Sequence, residues 1–286
     1  MAVATQRIST RPRLNVSPVT VLVYAALLLG ACIMLYPFAY MLSTSLKSPA
    51  QVYLFPPRWI PTPVMWSNYA AAFGRMGVRP FLNSAFFTAS IVLGQGLVTT
   101  MGGYAFARLR FPARNTLFLA YLGTMMIPAV VVSIPEFVIV ARLGWQDTYQ
   151  GLIVPILASG AFGTFLFRQF FMSVPEELGE AATIDGAHQW DIFWRIYLPL
   201  SRPAMTAYGV ITALSAWNLY LWPLIVVQSE ELKPVTLVIA QFSGSMNTQL
   251  NLMMAAVAIS LTPIFLLYVL GQRFFVEGIA MTGLKA

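Results

Sequence analysis

Charged and chemically reactive side chains are scarce in this chain of 286 residues. Only 9% of the residues are charged, and there is one histidine, His188, and one cysteine, Cys32. A single cysteine cannot form an intrachain disulfide, and without a second histidine or cysteine no zinc-type site can be assembled. His188 is therefore interpreted as a solvated loop residue, because a catalytic histidine would need a partner. The sequence predicts neither an enzyme nor a metalloprotein.

What the chain has in abundance is apolar surface. Hydrophobic residues make up 58% of it and aromatic residues 14%, and the mean hydropathy is +0.72. That is more apolar surface than a soluble domain of this length can bury. The net charge is +7, but the basic residues are scattered between apolar runs and form no stripe of the kind that binds nucleic acid. We therefore expect an integral membrane protein in contact with lipid and without a nucleic-acid partner.

Six windows of the sequence contain no charged residue at all. Each holds at least the ~20 residues that a helix rising 1.5 Å per residue needs to cross a ~30 Å hydrocarbon core. The windows predict an all-α protein with six transmembrane helices, near residues 18–45, 82–107, 115–136, 149–172, 203–227 and 252–273.

The distribution of Lys and Arg predicts the orientation of these helices. With a cytoplasmic N-terminus, eleven of the seventeen basic residues lie on the cytoplasmic side and six on the other. Because basic residues favour the cytoplasmic side, both termini and the connection between the fourth and fifth helices are expected there. The opposite side carries the connection 47–80, whose six prolines exclude a continuous helix or a central strand.

Small residues recur four positions apart within the predicted spans. Such pairs allow membrane helices to pack closely, although each pair alone is weak support for an interface. The pairs are Ala85/Ala89, Gly96/Thr100, Gly103/Ala107 and Gly209/Ala213.

Five of the ten acidic residues lie within residues 176–191, in the connection between the fourth and fifth helices. Ser173 and Glu176 have the spacing of a capping box, with Pro175 in the first turn, and predict a helix over 174–184. Asp185-Gly186 is a helix-stop signal, and a second short helix is expected over 189–197. The first helix is acidic, whereas helices that lie on a membrane surface are usually basic. This favours a basic protein partner over lipid.

These residues carry a resemblance to a known family. EEL-x-EAA-x-x-DGA, followed by F-x-x-I-x-LPL-x-x-P, resembles the signature loop of permease subunits of bacterial binding-protein-dependent ABC importers. The similarity extends to YAFARLRFP at 104–112, FLFRQFF at 165–171, WNLYLWPL at 217–224 and RFFVEGI at 273–279. It is greatest to the carbohydrate-uptake class, in particular to the second permease of maltose-type and glycerol-3-phosphate-type systems. Gly179 departs from the pattern, since a larger residue is expected there.

The resemblance implies a type I importer permease fold in the bacterial cytoplasmic membrane. It divides the chain into an N-terminal tail, first helix and proline-rich external loop (1–80), a permease domain (81–274, with the coupling loop at 173–199) and a cytoplasmic tail (275–286). The loop is implied to form a coupling helix that docks in a cleft of the ATPase subunit. The coupling residues implied are Glu176, Glu177, Leu178, Glu180, Ala181, Ala182, Asp185, Gly186 and Ala187.

The resemblance also implies partners. These are a second permease subunit forming a heterodimer, two ATP-binding subunits and an extracytoplasmic solute-binding protein. No G-x-x-x-x-G-K-[ST] loop occurs in the chain, so no cofactor is expected in it, and ATP and Mg²⁺ are expected on the ATPase partner.

Polar groups inside a membrane span are functional candidates, because burying them in lipid is costly. On this basis the candidates for the solute path are Gln95, Asn218, Tyr220 and Trp222. The alternative for each is structural, since amides hydrogen-bond neighbouring helices and aromatic residues pack or lie at interfaces.

Two other function classes are alternatives to an importer permease. A secondary transporter would be expected to carry ionisable residues for ion coupling within its spans, and the charge-free windows argue against this. A membrane scaffold would not need a coupling helix of this pattern. ATP dependence distinguishes the importer from both.

Overall fold

Helices form all of the regular secondary structure in the part of the chain that the structure describes. This computed structural model describes residues 17–243 and 249–283, with side chains through residue 269. The predicted N-terminal tail lies almost wholly outside the described residues. In chain order the elements are α1 (Pro18–Ser45), α2 (Pro49–Val52), α3 (Ser67–Met76), α4 (Arg79–Arg108), α5 (Arg114–Gly123), a 3₁₀ turn (Thr124–Met126), α6 (Ala129–Arg142), α7 (Tyr149–Ala158), α8 (Ala161–Ser173), α9 (Glu177–Ile184), α10 (Gln189–Ile192), a π-helix (Phe193–Tyr197), α11 (Leu198–Leu200), α12 (Arg202–Trp217), α13 (Leu221–Val226), α14 (Val235–Gln241) and α15 (Leu250–Gly283).

Three helices are long and apolar enough to cross a membrane unbroken. They are α1, α4 and residues Leu250–Val269 of α15, and they correspond to the first, second and sixth predicted spans. Two further pairs of helices qualify when each bent pair is counted as one span. The described residues therefore contain three to five candidate spans by length and composition.

The third predicted span is bent rather than straight. The segment Arg114–Met126 and helix α6 meet at 102°. Pro128 is the cause, because a residue before proline is driven out of the helical region, and Ile127 is extended with a ψ of 120°. Helix α6 then continues to Arg142, beyond the predicted end at residue 136.

The fourth and fifth predicted spans are also interrupted. Helices α7 and α8 meet at 45° around Ser159 and Gly160. Helix α12 ends at Trp217 after 16 residues. The short helix α13 then starts at Leu221, which places Pro223 in a first turn, where proline is tolerated because no helical N–H is needed there.

Helix α4 lies at the centre of the bundle and contacts α7, α8 and α12. Its contact with α8 depends on glycine. A Cβ atom built on Gly103 would lie 2.5 Å from Cβ of Phe167, and one built on Gly160 would lie 2.4 Å from Cγ2 of Thr99. Of the small-residue pairs singled out in the sequence, Gly103/Ala107 thus marks a close helix contact. A Cβ atom on Gly96 would meet nothing within 4 Å.

The connection 47–80 and the end of the chain complete the description. The proline-rich part of the connection contains no helix between Val52 and Ser67, whereas its proline-free part forms α3. Helix α1 packs against α15, and α15 continues without a break to Gly283. The segment predicted as a tail from residue 275 is thus a continuation of the last helix as far as the structure describes it.

Candidate functional sites: the acidic loop and a polar cavity

The acidic loop, residues 173–199, contains helix α9 with a later start than predicted. Ser173 is the last residue of α8, and its hydroxyl donates to the carbonyl of Phe170. Glu176 precedes α9 as its N-cap without a side-chain capping bond. The predicted capping box is therefore wrong, and Pro175 lies before the helix rather than in its first turn. The stop is where the sequence places it, because α9 ends at Ile184 and Gly186 has a φ of +84°.

Helix α9 presents acidic and apolar side chains to its surroundings. Glu177, Glu180 and Ala181 are exposed, as are Leu178 at 44% and Ile184 at 86%. The opposite face is turned inward. Ala182 and Ala187 pack against an aromatic cluster built from Tyr104, Phe167, Phe171, Phe193, Tyr197 and Tyr208. Ala181 and Ala182 therefore face in different directions, although the resemblance implies a coupling role for both.

Gly179 is explained by the same inward face. A Cβ atom built on it would lie 3.3 Å from the hydroxyl oxygen of Tyr197, which is tighter than an ordinary van der Waals contact. Tyr197 is 2% exposed and packs between the rings of Tyr104 and Phe171. Glycine thus lets α9 lie directly on a buried aromatic side chain that has little room to move.

Arg108, the last residue of α4, joins the acidic loop to the helix bundle. Its side chain is 9% exposed. One terminal nitrogen, Nη2, donates to the carbonyls of Phe171, at 2.6 Å, and Val174. The other, Nη1, lies 3.0 Å from a carboxylate oxygen of Glu176. Sequence analysis missed this residue. It lies in the YAFARLRFP block at the end of a charge-free window, and this position at the end of a span would allow an arginine to contact the acidic loop.

The second half of the acidic loop, residues 187–199 (the return arm), also contacts α4. The hydroxyl of Tyr104 donates to Oε1 of Gln189, at 2.7 Å, at the start of α10. The predicted second helix over 189–197 is observed as α10 and the π-helix, which α11 extends through Pro199. Both arms of the loop therefore rest on the last turns of α4.

A polar cavity of about 230 Å³ opens between α4, the α7–α8 bend and α12. Gln95 is 8% exposed and lines it. Its amide nitrogen donates to the carbonyls of Ile156, at 2.8 Å, and Ser159, at 3.2 Å, which lie at the bend where α7 ends. Its amide oxygen accepts from the hydroxyl of Tyr208 at 3.0 Å. The further polar lining residues, which sequence analysis did not single out, are Ser159, Tyr208, Thr212 and Ser215.

The other three predicted solute-path residues do not line this cavity. Trp222 is 6% exposed, and its indole N–H donates to the carbonyl of Gly151 at 3.1 Å, so it ties α13 to α7. Asn218 donates to the carbonyl of Leu214 at the end of α12, and Tyr220 is 42% exposed beyond it. Gln95 is thus separated from the other candidates.

Two further features limit the chemistry of the described residues. A groove of about 1100 Å³ between α4, α12 and α15 is lined by apolar and small residues, with no charged side chain among them.

Within the residues 17–243 and 249–269, no group of three His, Cys, Asp or Glu side chains is placed to hold a metal ion.

Comparison with known proteins identifies relatives of this chain. The profile of the family described as "binding-protein-dependent transport system inner membrane component" matches residues 98–280. The sn-glycerol-3-phosphate transport system permease protein UgpE of Yersinia enterocolitica is 36% identical over 269 residues, which cover 90% of this chain and 94% of that protein. The chain belongs to this family. The UgpE protein of an Escherichia coli O1:K1 strain is 35% identical over 91% of this chain and 95% of its own length.

Two solved structures are similar in fold to this chain. A chain of a bacterial ABC transporter involved in the import of the acidic polysaccharide alginate superposes with a TM-score of 0.76 and 26% identity, over 93% of this chain and 100% of that one. A second chain, from the alginate transporter in complex with an alginate pentasaccharide-bound periplasmic protein, gives a TM-score of 0.60 at 16% identity over 87% and 92% of the two chains, which supports the fold alone. The fold is that of the type I importer permeases. The chain is a membrane permease component of an ABC importer and not an enzyme, as the sequence predicted.

Proposed function

We propose that the chain is one of two permease subunits of an ATP-driven importer for a carbohydrate or a related solute, such as a sugar, an oligosaccharide or a glycerol phosphate. The names of its relatives support this solute class, since they include glycerol-3-phosphate permeases and an alginate importer. In this proposal a solute-binding protein outside the cytoplasm delivers the solute, and the second permease completes a heterodimer. Two ATPase subunits bind ATP and Mg²⁺.

The observation that carries the coupling role is the surface of α9. A short helix that leaves two carboxylates and the apolar side chains of Leu178 and Ile184 exposed is suited to a cleft with basic walls and an apolar floor. The inward face of the same helix is fixed on Tyr197 and the aromatic cluster. A helix held on one side and free on the other can transmit a displacement into the bundle. Glu176 has a different task, because it pairs with Arg108.

We further propose that the chain crosses the membrane six times, with the acidic loop and both termini in the cytoplasm. The three unbroken helices and two bent pairs supply five crossings, and α12 with α13 supplies the sixth. The excess of basic residues on the side of the acidic loop supports this orientation.

Within the membrane, the polar cavity is proposed as this subunit's part of the solute path. Its lining combines an amide and several hydroxyl groups with apolar walls, which suits the hydroxyl groups and ring faces of a carbohydrate. No charged residue lines it. A phosphate or carboxylate group on the solute would therefore need basic side chains from another subunit or from the solute-binding protein. Among the residues predicted from the sequence, Gln95 fits this role, and Trp222 has a structural role instead.

The decisive experiment measures solute uptake and ATP hydrolysis by the complete complex reconstituted in liposomes. Glu180→Lys reverses an exposed charge on α9, and Gly186→Pro is incompatible with a φ of +84°. Both variants are expected to lose ATP-dependent uptake by at least about tenfold, a change of about 1.4 kcal/mol in coupling, while the complex remains in the membrane.

Matched controls separate coupling from general damage. Glu231→Lys makes the same charge reversal at an exposed glutamate outside the acidic loop, and the ion pair with Arg79 that it breaks is itself exposed and contributes little. Gly186→Asn replaces the glycine with a residue that tolerates the left-handed region. Both are expected to retain most of the uptake. Unchanged uptake in Glu180→Lys and Gly186→Pro, or uptake that needs no ATP, would show that the coupling assignment is wrong.

A further inference from the structure

The side chain of Arg108 occupies an unusual position for a cation. It ends the central helix α4, it is nearly buried, and it faces the end of α8, where carbonyl groups lack the N–H donor four residues later that a continuing helix would supply. The carbonyls of Phe171 and Val174 are among these groups, and both accept from Nη2. The guanidinium therefore closes the C-terminus of α8, where a positive charge is favoured by the helix dipole.

The same guanidinium reaches across to α9 and to the return arm. Nη1 pairs with Glu176, the N-cap residue of α9, at 3.0 Å. The Cζ atom lies 5.2 Å from the ring centre of Tyr197, the side chain on which Gly179 of α9 rests. One side chain on α4 thus contacts the end of α8, the start of α9 and the aromatic support beneath α9.

Lysine could not replace this arrangement. A planar guanidinium directs several donors at once and stacks on an aromatic ring, whereas an ammonium group is a single point charge on a flexible stem. The buried Nε of Arg108 has no hydrogen-bond acceptor among the described residues, so only the two terminal nitrogens bind the carbonyls and the carboxylate. The contacts are concentrated at the far end of a side chain whose stem is enclosed by protein.

We propose that Arg108 is a positioning residue that makes the acidic loop and helix α4 move as one body. This rests on the proposed coupling role of α9. Tyr104, one turn earlier, holds the return arm through Gln189 in the same way. Gln95 lies on the same helix 13 residues before Arg108, or about 20 Å at 1.5 Å per residue. A displacement of α9 is thereby carried along one unbroken helix to the polar cavity.

The test measures the number of solute molecules transported per ATP hydrolysed, because a purely structural defect would lower uptake and hydrolysis together. The complete complex with its solute-binding protein is reconstituted with Arg108→Lys. We expect hydrolysis per complex to stay within about twofold and the transport ratio to fall by about three- to tenfold, within the roughly two- to thirtyfold range of coupling changes seen for residues between two sites. The matched control is Arg110→Lys, at an exposed arginine two residues along that makes no ion pair or hydrogen bond within the described chain.

Two milder variants keep the proposal testable if Arg108→Lys does not assemble. Tyr104→Phe removes only the hydroxyl bond to Gln189, and Glu176→Gln removes only the charge of an exposed carboxylate. Each is expected to lower the transport ratio by about twofold, at the lower end of the same range. An unchanged ratio in the variants that assemble overturns the proposal.

The outcome is separable from that of the proposed function. If Glu180→Lys leaves uptake intact, the docking role of α9 fails whatever Arg108→Lys does. If Glu180→Lys stops uptake and Arg108→Lys keeps the normal transport ratio, only the positioning role of Arg108 is refuted.

Discussion

At the scale of single residues, Asp147 holds two separate connections together from an uncommon backbone conformation. It has a φ of 53°, a left-handed region that aspartate and asparagine tolerate better than most residues. Its Oδ1 accepts from the backbone N–H groups of Gln228 and Ser229 and from the hydroxyl of Ser229, each at 3.0 Å. The connection before α7 is thereby fixed to the segment after α13. The backbone N–H of Ser229 is the main reason why the pKa of Asp147 lies below its usual value.

This pKa predicts how stability responds to acid. Because the folded-state pKa is lowered, the carboxylate stabilises the fold above its ordinary pKa of about 3.9, and this contribution is lost as the pH falls through the folded-state pKa. Asp147→Asn should therefore lower stability at pH 7 by about 1 kcal/mol, since a neutral acceptor forms weaker bonds than a charged one. The difference from the wild type should shrink below about pH 4.

Thermal unfolding of the detergent-solubilised protein at several pH values checks this expectation. Glu177→Gln is the control, because it makes the same kind of substitution at an exposed carboxylate that forms no hydrogen bond or ion pair with the described residues. A difference between Asp147→Asn and wild type that stays constant down to pH 3 would contradict the explanation.

At the scale of elements, the packing of α4 on α8 depends on where glycine meets a neighbour. Gly103→Ala would place a Cβ atom 2.5 Å from Cβ of Phe167 and 2.9 Å from the backbone nitrogen of Arg168, so the two helices must separate. We expect a loss of about 1–3 kcal/mol, as for overpacking of a core. Gly96→Ala, on the same helix but facing open space, should be neutral or stabilising by up to about 1 kcal/mol through helix propensity.

The two variants differ only in the surroundings of one methyl group, and unfolding midpoints in detergent compare them directly. Equal stability of the two would mean that α4 and α8 are not packed as closely as described.

The elements also show what a single sequence can and cannot predict. The charge-free windows located the three unbroken candidate spans and the two bent pairs, and Asp185-Gly186 located the end of α9, because both signals are local. The bends at Pro128 and Gly160 were missed. Proline alone did not indicate a break, since α6 contains Pro135 within its helix, and Gly160 is explained only by its contact with Thr99.

The acidic loop was misjudged for a similar reason. Ser173 has the right spacing for a capping box, but Arg108 accommodates the end carbonyls of α8 and lets that helix run through Ser173. Tyr197, which lies in the second half of the loop, explains two further features. Ala182 rather than Ala181 faces inward because it packs against the cluster that contains Tyr197, and residue 179 is glycine because a Cβ atom there would crowd the Tyr197 hydroxyl. Contacts between distant parts of the chain decided each of these points.

At the scale of the whole molecule, the polar cavity is where the proposed solute path can be tested without disturbing the hydrogen bonds of Gln95. Ser215 is an exposed residue that lines it, and Ser215→Cys is nearly isosteric. In the complex carrying Cys32→Ser, we expect bound solute to slow modification of this thiol by about tenfold at ten times its Kd, because free sites are then about a tenth of the total.

Ser67→Cys in the same Cys32→Ser background provides the matched control. Ser67 is exposed at the start of α3, outside the candidate spans, and does not line the cavity, so solute should leave its rate of modification unchanged. Equal rates with and without solute at Ser215→Cys would place the solute path elsewhere. Protection at both thiols would indicate a general change of shape instead.

The interrupted helices have a consequence for biosynthesis. Helix α12 has 16 residues and α7 has 10, so neither alone is as long as the hydrocarbon core is thick, and their broken ends expose backbone groups that lipid cannot satisfy. At the α7–α8 bend, the carbonyls of Ile156 and Ser159 accept from Gln95 of α4. Helix α4 is long, unbroken and earlier in the chain, so the ribosome delivers it to the membrane first. Synthesis from the N-terminus thus places α4 in the membrane before the broken helices that pack against it. A circular permutant in which α4 came last is expected to insert poorly.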